Sequence, residues 1–204
     1  AGAWSEEAIY EAGALGILKG LDGPGKRFGR STALTKEEAL AIVYRAAGRE
    51  EEALQAGTAI NNMRAAADRK TDPADVLFDG FLSLAANDGL ITARDLADAY
   101  NTNQGELTGE SFRRKSAAQR QEFAFWLAVA LDLQPAGQQQ ELLNYTDWRS
   151  VDPDKMQYIE TMLREGIITG SNGRINPRQQ VTREQAAQII KNAEDEILIA
   201  RGYL

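Results

Sequence analysis

Polar and apolar positions alternate with a helical period along most of the chain. Trp4, Ala8, Ile9, Ala12 and Leu15 recur every three to four residues, which predicts an amphipathic helix over residues 4–19. Gly16 and Gly20 bracket its end, where glycine relieves a left-handed cap. Leu21-Asp22-Gly23-Pro24-Gly25 reads as a tight turn, and Phe28 is the lone apolar residue after it. Thr35-Lys36-Glu37-Glu38 forms a capping box. It opens a helix of about 36–47 that buries Ala39, Leu40, Ile42, Val43 and Ala46. Residues 49–70 are rich in Ala and Glu, with Leu54, Ile60 and Met63 on one side, and predict a connecting helix. Asp72 as N-cap and Pro73 as first helical residue start the next, which ends near Asn87-Asp88-Gly89. Residues 92–115 are polar and read as an insertion. Helix resumes by about 117 and runs through Phe123, Ala124, Trp126, Leu127 and Leu131, with Trp126 in the core. Asp152-Pro153 marks another helix start. Tyr158, Ile159, Met162 and Leu163 then run into Gly166, and a glycine-rich turn leads to the capped helix at Thr182-Arg183-Glu184-Gln185. The tail, 193–204, continues as helix and frays at Gly202.

The unit of helix, glycine turn, short extended stretch and capped helix occurs three times. Its loop glycines, Gly16, Gly89 and Gly166, lie 73 and 77 residues apart. From loop glycine to cap is 19 residues in the first copy (16 to 35), 30 in the second (89 to 119) and 16 in the third (166 to 182). The long interval matches an insertion into one loop. The chain therefore reads as one domain, 1–204. Repeat one covers about 1–48 and the connecting helix about 49–70. Repeat two covers about 71–134, with the insertion at 92–115, and repeat three about 141–204. In the second copy two caps compete: Gln119 with Glu122, or Ser116 with Gln119 one turn earlier.

Composition narrows the chemistry. The net charge of −7 argues against nucleic acid as the main partner. The chain has no cysteine and no histidine. Disulfides, cysteine metal sites and Ser–His–Asp or Cys–His catalysis are thereby excluded. No apolar run approaches the roughly 20 residues that span a bilayer, so no membrane insertion is expected. No metal site or cofactor is predicted, and no catalytic residue.

The pattern resembles the S-layer homology family. The first copy carries Trp4, Ala8-Ile9, Gly16-Ile17, Gly20, Phe28 and Thr35-Lys36-Glu37-Glu38-Ala39. The third carries Asp147-Trp148, Tyr158-Ile159, Gly166-Ile167-Ile168-Thr169-Gly170, Ile175-Asn176-Pro177 and Val181-Thr182-Arg183-Glu184-Gln185-Ala186. In the second, Gln119-Arg120-Gln121-Glu122-Phe123-Ala124 looks like the family's Thr-Arg-Ala-Glu-Phe-Ala box with Thr replaced. The resemblance implies an all-α fold of three helix–loop–helix repeats around a central three-helix bundle, a three-pronged pseudo-trimer with grooves between prongs. It implies non-catalytic anchoring at the bacterial cell surface, outside the cell. The implied partner is a bacterial secondary cell-wall polysaccharide whose terminal N-acetylmannosamine carries a pyruvyl ketal.

That ligand suits particular residues. Arg183, at the first position of its helix, is expected beside free backbone N–H groups and the positive end of the helix dipole, ready for a carboxylate. Arg120 and Lys36 hold the matching positions, Lys36 without the guanidinium fork. Gly20 and Gly170 would admit a sugar to the backbone, Asp22 and Asn172 would hydrogen-bond its hydroxyls, and Trp4 and Trp148 would cover its apolar face. The bland alternatives are that Thr35, Glu38 and Thr182 only cap, that the glycines and Asp22 only turn the chain, and that Arg113-Arg114-Lys115 is a solvated basic loop. Two rival functions stand beside the anchor. One is a structural or assembly module that uses the 92–115 insertion to contact another surface-layer protein. The other is a cell-wall glycosidase with paired carboxylates.

Overall fold

The structure, a computed structural model, describes residues 3–19, 29–67, 73–101 and 111–204. Among them are nine α-helices: α1 (Ala3–Ala14), α2 (Lys36–Ala46), α3 (Glu50–Ala66), α4 (Pro73–Asn87), α5 (Ala93–Tyr100), α6 (Arg120–Ala130), α7 (Met156–Arg164), α8 (Arg183–Asn192) and α9 (Glu194–Ala200). Pairing outside helices is limited, among the described residues, to isolated bridges. Among the described residues, no helix is long and apolar enough to cross a membrane. The contacts form two compact units, Ala1–Leu34 with Ala117–Leu204, and Thr35–Ser116.

In the first unit α1 packs on α8 and α6 on α7. The apolar faces read from the sequence are the buried ones: Ala8 and Ala12 on α1, Phe123 and Leu127 on α6, Ile159 and Met162 on α7, Ile189 and Ile190 on α8. Trp126 is buried too, as expected. Three extended segments meet at one point. Leu34 donates its N–H to the Val181 carbonyl (2.9 Å), Val181 to Ala118 (3.0 Å) and Ala118 to Leu34 (2.9 Å). This ring of backbone bonds is closed, and all three side chains are fully buried. Buried N–H and C=O groups must be paired, and here three short segments satisfy one another without forming a sheet.

In the second unit α4 packs on α2, α3 and α5. The crossing of α3 and α4 is close. A Cβ on Gly57 would lie 1.9 Å from the Val76 carbonyl oxygen, and one on Gly80 would lie 1.8 Å from that of Ala53. α3 is the connecting helix expected over 49–70, and its packing face is made of small residues. Ala53 and Gly57 are buried, whereas Leu54 and Met63 are exposed. Small residues let the two backbones touch, and that contact outweighs the pull of the larger side chains toward the core.

The polar stretch after Gly89 is also not all loop. Thr92 and Asp95 cap each other: the Asp95 N–H donates to Thr92 Oγ1 (3.1 Å), and the Thr92 N–H donates to Asp95 Oδ2 (2.8 Å). That box starts α5, a helix the low apolar content concealed. Other ends shift: α1 stops at Ala14, α3 at Ala66, and α7 begins at Met156 rather than at Pro153. The Asp152 carboxylate does not cap α7; it accepts from Gln121 and Arg178 instead. α6 begins at Arg120, not near 117. Asp72 lies outside the described residues.

The loop glycines behave alike. Gly16, Gly89 and Gly166 have φ of 71°, 74° and 71°, a region other residues rarely enter. After each, two successive N–H groups donate to one helix carbonyl: Ile17 and Leu18 to Ala12, Leu90 and Ile91 to Ala85, Ile167 and Ile168 to Met162.

Candidate ligand site at Arg120

The first turn of α6 determines where Arg120 sits. Gln119 is extended (φ −80°, ψ 153°) and bridges to Gln180. Its N–H donates to Glu122 Oε2 at 2.7 Å, so the cap is Gln119 and not Ser116. Ser116 Oγ donates instead to the Arg113 carbonyl (2.7 Å). Arg120 is therefore the first helical residue, as Arg183 is in α8 and Lys36 in α2. The Thr boxes at 35 and 182 form as expected. Glu38 and Gln185 each donate an N–H to the threonine hydroxyl at 3.3 Å.

The expectation of free N–H groups at these helix starts is corrected. Arg120 donates its N–H to the Gln179 carbonyl (2.8 Å) and Gln121 to Pro177 (2.9 Å). Arg183 donates to Thr32 (3.0 Å) and Glu184 to Arg30 (3.1 Å). In the second unit Lys36 donates to Ser116 (2.9 Å) and Glu37 to Arg114 (3.1 Å). Backbone carbonyls fill these helix starts and leave only side chains to meet an anion there.

Arg120 turns its guanidinium to the end of the α7 loop. Nη2 donates to the Thr169 carbonyl at 2.9 Å. Nε is buried, with no hydrogen-bond partner among the described residues. No described carboxylate pairs with Arg120, whereas Arg30, Arg45, Arg49, Arg64, Arg114, Arg164 and Arg178 each hold one. Burial pushes the Arg120 pKa down, and the nearby Tyr145 phenol opposes that shift. A guanidinium stays charged even so.

The turn beside it is built from backbone constraints. Asn172 (φ 52°) and Gly173 (φ 69°) both take left-handed φ between the bridged Ser171 and Arg174, the requirement of a tight hairpin turn. The Asp147 carboxylate accepts the N–H groups of Ile175 (2.9 Å) and Asn176 (2.8 Å) and holds the returning strand. Tyr145 lies against Gly170. The Gly170 N–H donates to Tyr145 Oη at 3.3 Å, and a Cβ on Gly170 would fall 2.1 Å from Tyr145 Cε1. The room left by Gly170 is thus filled by a tyrosine ring. Trp148 is half-buried, with the Arg149 guanidinium 4.7 Å from its ring centroid.

The arginine that reaches the Gly170 turn is Arg120. Arg183 reaches the first copy of that loop, donating from Nη2 to the Lys19 carbonyl at 2.8 Å, with 4% of its surface exposed. Arg183 is thus held by the loop of the first copy and not by the Gly170 turn of its own repeat. Lys36 places its ammonium 4.7 Å from the centroid of the Phe112 ring. Gly20 and Asp22 lie outside the described residues, as does the Trp4 side chain. Arg114 corrects another reading. It is buried, not solvated, and pairs with Glu37 and Asp79 inside the second unit. Tyr145 and the Thr169 carbonyl were not singled out from sequence. Backbone acceptors have no residue signature, and one tyrosine among six carries little signal.

The third helix–loop–helix has a counterpart among known proteins. Residues 144–187 match the S-layer homology domain. Domains of that family anchor proteins to cell-wall polymers. The S-layer homology segment holds Tyr145, Asp147, Trp148, Thr169, Gly170, Asn172 and Arg183, and Arg120 meets it from outside. No curated protein matches the chain.

Proposed function

We propose that the chain is a non-catalytic anchoring module that binds an acid-bearing secondary cell-wall polysaccharide outside a bacterial cell, recognising the pyruvyl ketal of a terminal N-acetylmannosamine. The observation that carries this reading is the Arg120 guanidinium. It is half-buried with its Nε fully enclosed, it is fixed by a carbonyl, and no described carboxylate pairs with it, in a chain with 30 acidic and 23 basic residues. Burying a charge is costly unless it is paired, and an acidic ligand supplies the pair. The S-layer homology match supports a cell-wall polymer as the source of that acid. The same N–H pattern at the starts of α2, α6 and α8 supports three copies of one repeat.

The test is sedimentation of the protein with purified bacterial cell-wall sacculi, before and after chemical removal of the pyruvyl groups. Binding lost with the pyruvate supports the reading. Binding that survives removal of pyruvate rejects the acidic group, and no binding to sacculi favours an assembly role.

A further inference from the structure

Arg120 and Tyr145 hold the two edges of one peptide group. The carbonyl of Thr169 accepts from Arg120 Nη2 at 2.9 Å, and the N–H of the same peptide, on Gly170, donates to Tyr145 Oη at 3.3 Å. A peptide that donates at one edge is polarised at the other, so its carbonyl becomes a better acceptor. Tyr145 also fills the space where a Gly170 Cβ would stand, which leaves the peptide little freedom to rotate. This contact is all the more telling because no described carboxylate holds Arg120. Among the described residues, the Thr169 carbonyl is the hydrogen-bond partner that fixes its guanidinium.

We infer that Tyr145 is the positioning residue of the Arg120 site: its hydroxyl locks the 169–170 peptide, and that peptide aims the guanidinium at the acidic group of the ligand. The inference rests on the anchoring reading for its ligand, but not for its geometry. A looser peptide lets the guanidinium sample poses in which its remaining Nη donors no longer face the carboxylate. Affinity then falls although the charge remains.

The experiment uses the whole chain and the Tyr145→Phe variant, which keeps the ring against Gly170 and removes only the hydroxyl. Hydrogen exchange of the Arg120 Nε–H is followed by NMR without ligand, with the resonance assigned by its loss in Arg120→Ala. Titration calorimetry with a pyruvylated N-acetylmannosamine glycan is run alongside, and thermal unfolding checks that the variant is folded. The inference expects Nε–H exchange about tenfold faster in Tyr145→Phe, because the local opening that exposes it becomes easier. It also expects glycan affinity about fivefold weaker, the scale of one net hydrogen bond. Unchanged exchange overturns it. Faster exchange with unchanged affinity overturns it equally, since the pose then does not matter to the ligand. If the wild type binds no glycan, the anchoring reading has failed and the exchange rate alone decides whether Tyr145 positions Arg120.

Discussion

Arg120 donates from Nη2 to the carbonyl oxygen of Thr169 at 2.9 Å, and no described carboxylate competes for it. Arg183 makes the matching bond to Lys19 at 2.8 Å. Lys36, the third member of the set, sits over the Phe112 ring and lacks the fork that grips a carboxylate from two atoms. Hydrogen bonds to a charged group contribute about 1.5–3 kcal/mol. Arg120→Ala and Arg183→Ala are each expected to weaken a site for the pyruvylated glycan by roughly 10- to 100-fold, and Lys36→Ala to change binding little. Calorimetry on the three variants checks this. Unaltered binding in Arg120→Ala removes that residue from the site.

Much of this arrangement was legible in the sequence, and the limits have physical causes. The periodic apolar faces of α2, α6 and α7, the three loop glycines and the Thr boxes are local signals, and they appear where expected. The partners of Arg120 and Arg183 are not local. Each reaches a loop far away in sequence, and backbone carbonyls carry no side-chain label. Arg114 was misread for the same reason: beside Arg113 and Lys115 it looks like a solvated run, but Glu37 and Asp79 approach it from other elements. The packing face of α3 was hidden because its large apolar residues lie elsewhere, while Ala53 and Gly57 make the contact.

That contact gives a prediction about the second unit. A methyl group at position 57 or 80 would overlap a backbone carbonyl of the opposing helix, which no rotamer change can relieve. Gly57→Ala and Gly80→Ala each gain a little helix propensity, under about 1 kcal/mol, and lose more by forcing α3 away from α4. Overpacking costs typically about 1–3 kcal/mol, so both variants should unfold at lower urea concentration. A Leu54→Ala change on the exposed face of the same helix should have little effect.

Arg114 ties the end of the insertion into that unit. Its guanidinium bonds Glu37 and Asp79, both almost fully buried, and Arg64 pairs with Asp79 from another side. Desolvation of Arg114 opposes its charge, but the two carboxylates hold its pKa above the ordinary value. Removing one partner of a buried ion pair costs about 3–5 kcal/mol, because the other charges stay buried. Arg114→Met should therefore destabilise strongly in urea unfolding. The triple change Arg114→Met, Glu37→Gln, Asp79→Asn should recover part of that loss. If the single variant unfolds like wild type, the cluster is not holding the unit together.

The tyrosines of the second unit should make the fold sensitive to alkali. Burial pushes the Tyr100 phenol up to about 12; the neighbouring Asp79 charge adds to the shift, while Arg64 and Arg114 oppose it. Tyr44 is also raised, first by burial and then by the hydrogen bond its hydroxyl donates to Asp88 at 2.8 Å. An unfolded tyrosine ionises near pH 10. Below about pH 10 both states keep the proton, and these groups add no pH dependence. Above it the unfolded chain loses protons that the folded chain retains, so the folded state is penalised as pH rises from about 10 toward 12. Melting temperatures should drop across that window, and the drop should be shallower in Tyr100→Phe and in Tyr44→Phe. The phenolate absorbance of the folded protein should lag that of the urea-unfolded chain over the same range. A wild-type melting curve indifferent to pH there, or phenolate signals that coincide, would show that neither hydroxyl is held neutral by the fold.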